Sequence, residues 1–480
     1  MSNNRFEHYA HEIYQSISDT WDHSIIPQLI EYIKIPNKSV NYDSNWKENG
    51  YMNKAMTLLV DWCQQQSIQG MQLEVVELPG RTPLLFIEIP GTLKETVLLY
   101  GHMDKQPEMV GWDADLGPWK PILKGNKLYG RGGADDGYAI FASLTVIATL
   151  QRYQIPHARC VVIIEGSEES GSIDLPAYLK YLNNRIENPT LVICLDSGCM
   201  NYDQLWCTTS LRGLVGGILK IEVLKHGIHS GAGSGIVPSP FSILRQLLDR
   251  IEDSSTGRVI LKELKVSIPN QHKEQAKKAA HMLGNGTIQG KLPFLPGVEP
   301  VTTNITELLL NKTWRAQLSV TGLDGLPPVA NAGNVTIPYL KVILSVRLPP
   351  IIDALKASAV LKNVLEKDPP YHAKISFFPE TSSSGWIAPP LNNWLAVANE
   401  NASYKFFGNP AAYFGEGGTI PFMGILGKMF PNAQFIITGL LGPKSNAHGP
   451  NEFLDIPMGK KLTACIASIV TAHYENYRSK

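Results

Sequence analysis

Four short apolar runs in this 480-residue chain each lead to a side chain that can bind a metal ion, and this pattern constrains the fold more than composition does. Thr96–Gly101 runs into His102-Met103-Asp104, Cys160–Glu165 into Glu168-Glu169, and Thr190–Leu195 into Asp196. Gln434–Thr438 leads through a polar loop to His448. A further acidic pair, Asp135-Asp136, follows the glycine-rich turn Gly130-Arg131-Gly132-Gly133-Ala134. Short continuous apolar runs bounded by turn residues read as strands buried on both faces. Ligands of open α/β sheets sit beyond the carboxyl ends of such strands, which is where these residues fall. One carboxylate after a strand is ordinary. Four strand exits and a glycine-rich turn so equipped read as a shared metal centre.

The surrounding rhythm supplies the architecture. Amphipathic helices are expected at Phe6–Ser18, Pro27–Ile33 and Ala55–Gln65, and short strands at Leu73–Leu78 and Leu84–Ile89. An apolar helix at Tyr138–Leu150 between two strands predicts a mostly parallel sheet. From Leu214 the order becomes strand (Leu214–Leu224), helix (Pro240–Ile251), strands (Arg315–Gly322, Tyr339–Leu348), helix (Pro350–Glu366) and strand (Ala373–Pro379). Without a helical insert at Gln271–Met282, this is β-α-β-β-α-β, the ferredoxin-like arrangement. Helix Asn392–Glu400, strand Gln434–Thr438 and helix Lys460–Tyr474 resume the first pattern. The fold class is therefore α/β: a mostly parallel-sheet domain at 1–212 and 386–480, interrupted by an inserted ferredoxin-like domain at 213–385.

Charge narrows the partners. Lys+Arg and Asp+Glu both number 43, giving zero formal net charge and no basic stripe for nucleic acid. No apolar run approaches the roughly 20 residues of a membrane span, and Met1–Glu7 has no hydrophobic leader core. The six cysteines are scattered without a Cys-x-x-Cys pair. Cys160, Cys194 and Cys465 lie in apolar runs and read as small buried hydrophobes, so a reduced, cytoplasmic setting is expected.

Each candidate carries its own chemistry. His102 and Asp104 project to one side of an extended segment, where the aspartate can accept the second imidazole N–H. Alone, the pair reads equally as a core histidine with a capping aspartate. The two oxygens of one aspartate in Asp135-Asp136 can bridge two cations about 3.5–4 Å apart; alone, the pair reads as a helix cap. Adjacent carboxylates such as Glu168-Glu169 persist in a cleft only when a cation or a proton neutralises them. One can ligate while the other acts as general base. Asp196 by itself fits a turn, and His448 a surface loop. Together, two histidines and three carboxylates would form two sites sharing one bridge, a set suited to zinc and tolerant of manganese or cobalt.

His102-Met103-Asp104, Gly130–Asp136, Gly166-Ser167-Glu168-Glu169-Ser170-Gly171-Ser172, Asp196 and His448 together resemble the dinuclear zinc peptidase family. That family includes glutamate carboxypeptidase, the cytosolic nonspecific (carnosinase-like) dipeptidases, acetylornithine deacetylase and succinyl-diaminopimelate desuccinylase. The likeness runs from about Glu95 to Asp455 and includes the domain order. It implies His102, Asp135, Glu169, Asp196 and His448 as ligands of two zinc ions, with Asp135 bridging. It implies Glu168 as general base toward metal-activated water and Asp104 as the residue that orients a ligand. It further implies that His229 stabilises the oxyanion in a neighbouring subunit's site, that Arg347 binds the substrate carboxylate, and that Glu416-Gly417-Gly418-Thr419-Ile420-Pro421 lies near the substrate. A catalytic domain, a lid and dimerisation domain, and a homodimer complete the expectation.

Two departures bear on substrate choice. Many relatives carry Lys-Gly after the second aspartate, where this chain has Gly137-Tyr138. The dipeptidases usually carry Arg before Glu-Gly-Gly, where this chain has Gly415. Asp196 and the Glu416–Pro421 loop favour a dipeptidase or carboxypeptidase acting on small peptides. Removal of an N-acyl group from an amino acid competes, because both substrates end in a carboxylate. A non-catalytic, metal-stabilised binding protein would be favoured by loss of Glu168 or of a ligand, and neither is lost.

Overall fold

The computed structural model describes residues 2–284, 292 and 294–478. They form two compact units: Met1–Thr209 with Ala388–Phe414 and Ile425–Lys480, and Ser210–Ile387 with Gly415–Gly424. The Gly415–Gly424 segment, expected to rejoin the first domain, packs with the second.

The first unit lays down β1 (Gln72–Val76), β2 (Leu84–Ile89), β3 (Leu93–His102), β4 (Ala158–Glu165) and β5 (Pro189–Cys194). The second contributes β6 (Gly213–Glu222), β7 (Gln317–Asp324), β8 (Tyr339–Leu348) and β9 (Lys374–Ser383), and β10 (Gln434–Ile437) returns to the first. The large sheet has the order β1-β2-β4-β3-β5-β10. Its last four members run parallel, and β1 and β2 form an antiparallel edge.

The apolar runs explain this arrangement. Val97–Leu99, Val161-Val162 and Leu191–Cys194 are fully buried, as strands covered on both faces must be. The covering helix Ala139–Arg152 is buried on nearly every turn, so it is apolar all round rather than striped. The long helix Ile456–Tyr477 also packs on the sheet and starts where the Asp455 side chain accepts from the Met458 amide. Leu99 is at the centre of this core. Its replacement by alanine should cost about 2–5 kcal/mol, read as a lowered denaturant midpoint.

In the second unit the order β7-β8-β6-β9 is antiparallel throughout. Burial alternates along β6 and β8, so one face is apolar, and it is covered by helices Pro240–Leu248 and Ala354–Glu366. This is the expected β-α-β-β-α-β unit. The insert within it consists of helices Asn270–Leu283 and Ile305–Thr313, packed on each other.

Several boundaries differ from expectation. The Phe6–Ser18 helix is divided into Ser2–His8 and Ala10–Thr20, because Tyr9 leaves helical geometry. The expected Pro350–Glu366 helix begins at Ala354, where the Asp353 side chain caps it through the Lys356 amide. Helix Leu175–Ile186 was not anticipated, although Leu175, Tyr178, Leu179, Leu182 and Ile186 form its buried stripe. No helix among the described residues is long and apolar enough to cross a membrane.

Candidate metal centre

The sheet order places β4, β3, β5 and β10 side by side, so their exits form one edge. His102 ends β3, Glu168 and Glu169 follow β4, and Asp196 follows β5. Asp135 joins them from the glycine-rich turn and His448 from the loop after β10. Gly101 keeps the approach close: a Cβ there would lie 2.7 Å from an Asp136 carboxylate oxygen.

Asp135 faces both imidazoles. Its Oδ1 lies 3.4 Å from His102 Nε2, and its Oδ2 lies 2.9 Å from His448 Nε2. Glu169 Oε2 is 3.3 Å from His448 Nε2, and Asp196 Oδ1 is 3.9 Å from His102 Nε2. Donor atoms held tetrahedrally on one zinc at about 2.1 Å stand roughly 3.4 Å apart, so these separations match shared coordination. Two triads, His102-Asp135-Glu169 and His102-Glu168-Asp196, offer donor atoms that all lie within 4.8 Å of one another.

His102 Nε2 and Asp135 Oδ2 are buried and make no hydrogen bond. The 2.9 Å Asp135–His448 approach is an ion pair when Nε2 carries a proton, and the same two atoms are placed to ligate a cation when it does not. Leaving buried polar atoms unpaired costs about 1–3 kcal/mol each, unless they are aimed at an ion. The donor set fits a pair of divalent cations.

The electrostatics agree. Burial pushes Asp196 up to about 7, and neighbouring Asp135 and Glu169 push in the same direction. Burial, then Asp196, holds Glu168 well above the usual carboxylate range. The His448 side chain is half exposed, and the neighbouring Asp135 and Glu169 outweigh its partial desolvation and push the imidazole up, to about 12. His102 is raised in the same way by Asp104 and Asp135, against burial. The carboxylates thus demand positive charge at this point, which a divalent ion would supply in place of a proton.

Asp104 does more than anticipated. His102 Nδ1 is 3.1 Å from the Asp104 backbone carbonyl and 3.5 Å from its carboxylate. The carboxylate oxygens accept from the amides of Glu168 and Glu169, both at 3.0 Å. The residue expected to orient an imidazole also holds the Glu168-Glu169 turn.

Three further neighbours, unmarked as site residues in the sequence, brace the centre. Gln106 Nε2 donates to Glu169 Oε2 at 2.6 Å. Arg131 pairs with Glu452, both essentially inaccessible, and donates to the Gly449 carbonyl at 2.8 Å. Glu452 also accepts from the Gly132 amide at 2.8 Å, tying the Asp135 turn to the His448 loop. That loop holds Lys444, Asn446, His448 and Asn451 at positive φ, a conformation that needs such fastening. Only the arginine inside the glycine-rich turn hinted at this.

The remaining candidates belong to the second unit. His229 is exposed, and its Nδ1 accepts from the Gly231 amide at 3.1 Å. In the neutral ring this leaves Nε2–H as an outward donor. Arg347, on β8, donates to Thr419 Oγ1 at 3.1 Å, and Thr419 donates to the Arg212 carbonyl at 2.6 Å. Glu416 lies 3.0 Å from Lys312 Nζ, and the Gly417 carbonyl accepts from Arg212. A Cβ on Gly418 would meet nothing within 4 Å.

Both departures have a steric cause. A Cβ at Gly137 would collide with the Tyr32 ring and lie 2.6 Å from the Gly132 carbonyl. A Cβ at Gly415 would lie 2.6 Å from Ser210 Oγ and 2.9 Å from Thr313 Cβ.

Residues 98–472 match the model of peptidase family M20/M25/M40. The chain is 26% identical over 372 residues to the cysteinylglycine-S-conjugate dipeptidase of Corynebacterium striatum, covering 75% of this chain and 77% of that one. It is 27% identical over 418 residues to the human Beta-Ala-His dipeptidase, covering 82% and 76%. The solved structure of the Saccharomyces cerevisiae dipeptidase Dug1p superposes with a TM-score of 0.80 at 21% identity, covering 99% of both chains.

Proposed function

This chain belongs to peptidase family M20/M25/M40, and we propose that it is a dinuclear-zinc dipeptidase acting on small peptides with a free carboxylate. Manganese or cobalt would suit the same donors. The observation that carries the reading is Asp135, whose two oxygens each face an imidazole across a cluster of unpartnered donor atoms. The dipeptidase names of its relatives support the substrate class.

In this reading His102, Asp135 and Asp196 would hold one ion, and His448, Asp135 and Glu169 would hold the other. When bound, such a pair polarises the scissile carbonyl and acidifies water. Glu168 takes the proton from the attacking water and returns it to the leaving amine. Asp104 keeps Glu168 in place through the backbone. Arg347 receives the substrate carboxylate, for which a planar guanidinium is suited. The Glu416–Thr419 loop borders the substrate, and His229 donates Nε2–H to the oxyanion in the neighbouring subunit of a homodimer. The exposed edge strand β7, with Val320 and Leu323 accessible, supports pairing between copies. All six cysteines are free and buried, which supports a cytoplasmic setting.

The test is metal analysis joined to a substrate panel. Two metal equivalents per chain and hydrolysis of free dipeptides in preference to N-acetyl or N-succinyl amino acids are expected. The reverse preference would establish the deacylase reading instead. Chelation should remove activity and lower the melting temperature by several degrees, since a ligand at a thousand times its Kd contributes about 4 kcal/mol. Light scattering should find a dimer. An active monomer would remove His229 from the mechanism.

A further inference from the structure

We propose that Lys312, carried by the insert helix Ile305–Thr313, is a positioning residue that keeps the Glu416 carboxylate off Arg347 and so leaves that guanidinium open to the substrate. This rests on the reading of Arg347 as the carboxylate-binding residue.

Three cations act on Glu416 or feel its charge. Although partial burial opposes it, Glu416 is held below the usual carboxylate range, with Lys312 the strongest stabiliser and Arg212 a lesser one. Burial lowers Arg347 below the usual guanidinium range, and the charge of Glu416 opposes that shift. Arg212 is committed elsewhere: its guanidinium donates to the carbonyls of Gly417, Asn311 and Arg315. Among the described residues the Arg347 guanidinium makes one hydrogen bond, to Thr419, and no carboxylate lies within ion-pair distance of it. Glu416 is the carboxylate whose charge acts on Arg347. It is turned to Lys312 Nζ at 3.0 Å and to its neighbouring Gly417 amide at 2.6 Å.

The backbone is shaped to bring Lys312 there. Gly415 has no room for a side chain beside Thr313 and Ser210. A Cβ on Gly417 would lie 3.0 Å from both Lys312 Cγ and Cε. Two glycines thus let the last turn of the helix lie against the loop. That helix is secured by its Asn304 cap and by Arg315, which donates to Glu307 and Asn311. The insert therefore has a task at the substrate-binding end of its unit: it supplies the counter-charge for Glu416.

The test compares a dipeptide with its C-terminal amide, using the unaltered enzyme, Lys312→Met and Lys312→Arg. With Lys312→Met, KM for the free acid should rise about fivefold, the scale of one partly exposed charge pair. Its kcat and the KM for the amide should hold, and Lys312→Arg should behave like the unaltered enzyme. Equal KM changes for acid and amide would show a packing role and overturn the proposal. An acid preference that Lys312→Met leaves intact would overturn it while sparing Arg347. No acid preference in the unaltered enzyme would remove Arg347's role and this inference together.

Discussion

Replacing Glu168 by glutamine should lower peptide hydrolysis by roughly 10²–10⁴, the usual contribution of a general acid–base group, with metal content unchanged. Glutamine keeps the shape of the side chain. It also leaves the turn intact, because the Glu168 amide, not its carboxylate, bonds Asp104. What disappears is proton affinity. Burial and the charge of Asp196 hold Glu168 well above the ordinary carboxylate range, the direction a general base needs. A bound cation would draw that affinity back toward working pH. Glu168 also falls within a triad with His102 and Asp196, so the measurement must separate base from ligand. Element analysis beside kcat does so. Two metal equivalents with turnover lost supports the base, and loss of one equivalent would make Glu168 a ligand.

The parts of the fold that were legible share one physical origin. A strand buried on both faces must be a continuous apolar run, and its exit is where polar groups can first reach a ligand. His102, Glu169 and Asp196 were therefore visible as strand ends, and the structure brings them together with Asp135 and His448. The second unit was legible because β6 and β8 alternate, a pattern only a one-faced sheet produces. Long-range partners leave no such trace. Asp104 holds amides more than sixty positions away, and Arg131 meets Glu452 across 321. Neither pairing follows from propensity or period. Gly137 and Gly415 could be seen as departures but not explained, since their cause is the volume of Tyr32, Thr313 and Ser210. Gly415–Gly424 likewise joined the other unit because Lys312, Arg212 and Arg347 hold it there.

Arg131→Met should destabilise the protein by about 3–5 kcal/mol, because it leaves Glu452 as a buried, uncompensated carboxylate. Its second consequence concerns His448. Arg131 holds the Gly449 carbonyl, the residue after the imidazole, while Glu452 holds the Gly132 amide, three before Asp135. Without the pair, the left-handed loop residues lose the contacts that keep them in place, and the two imidazoles lose their common spacing about Asp135. Metal affinity should fall about 10–100-fold, with the site containing His448 emptying first in a chelator titration. The double variant Arg131→Met with Glu452→Leu separates the two effects. Removing both charges should recover most of the stability, as for other buried ion pairs replaced by apolar groups. It cannot restore the bonds to Gly449 and Gly132, so the metal defect should remain. Recovery of both together would mean that the pair serves only the core.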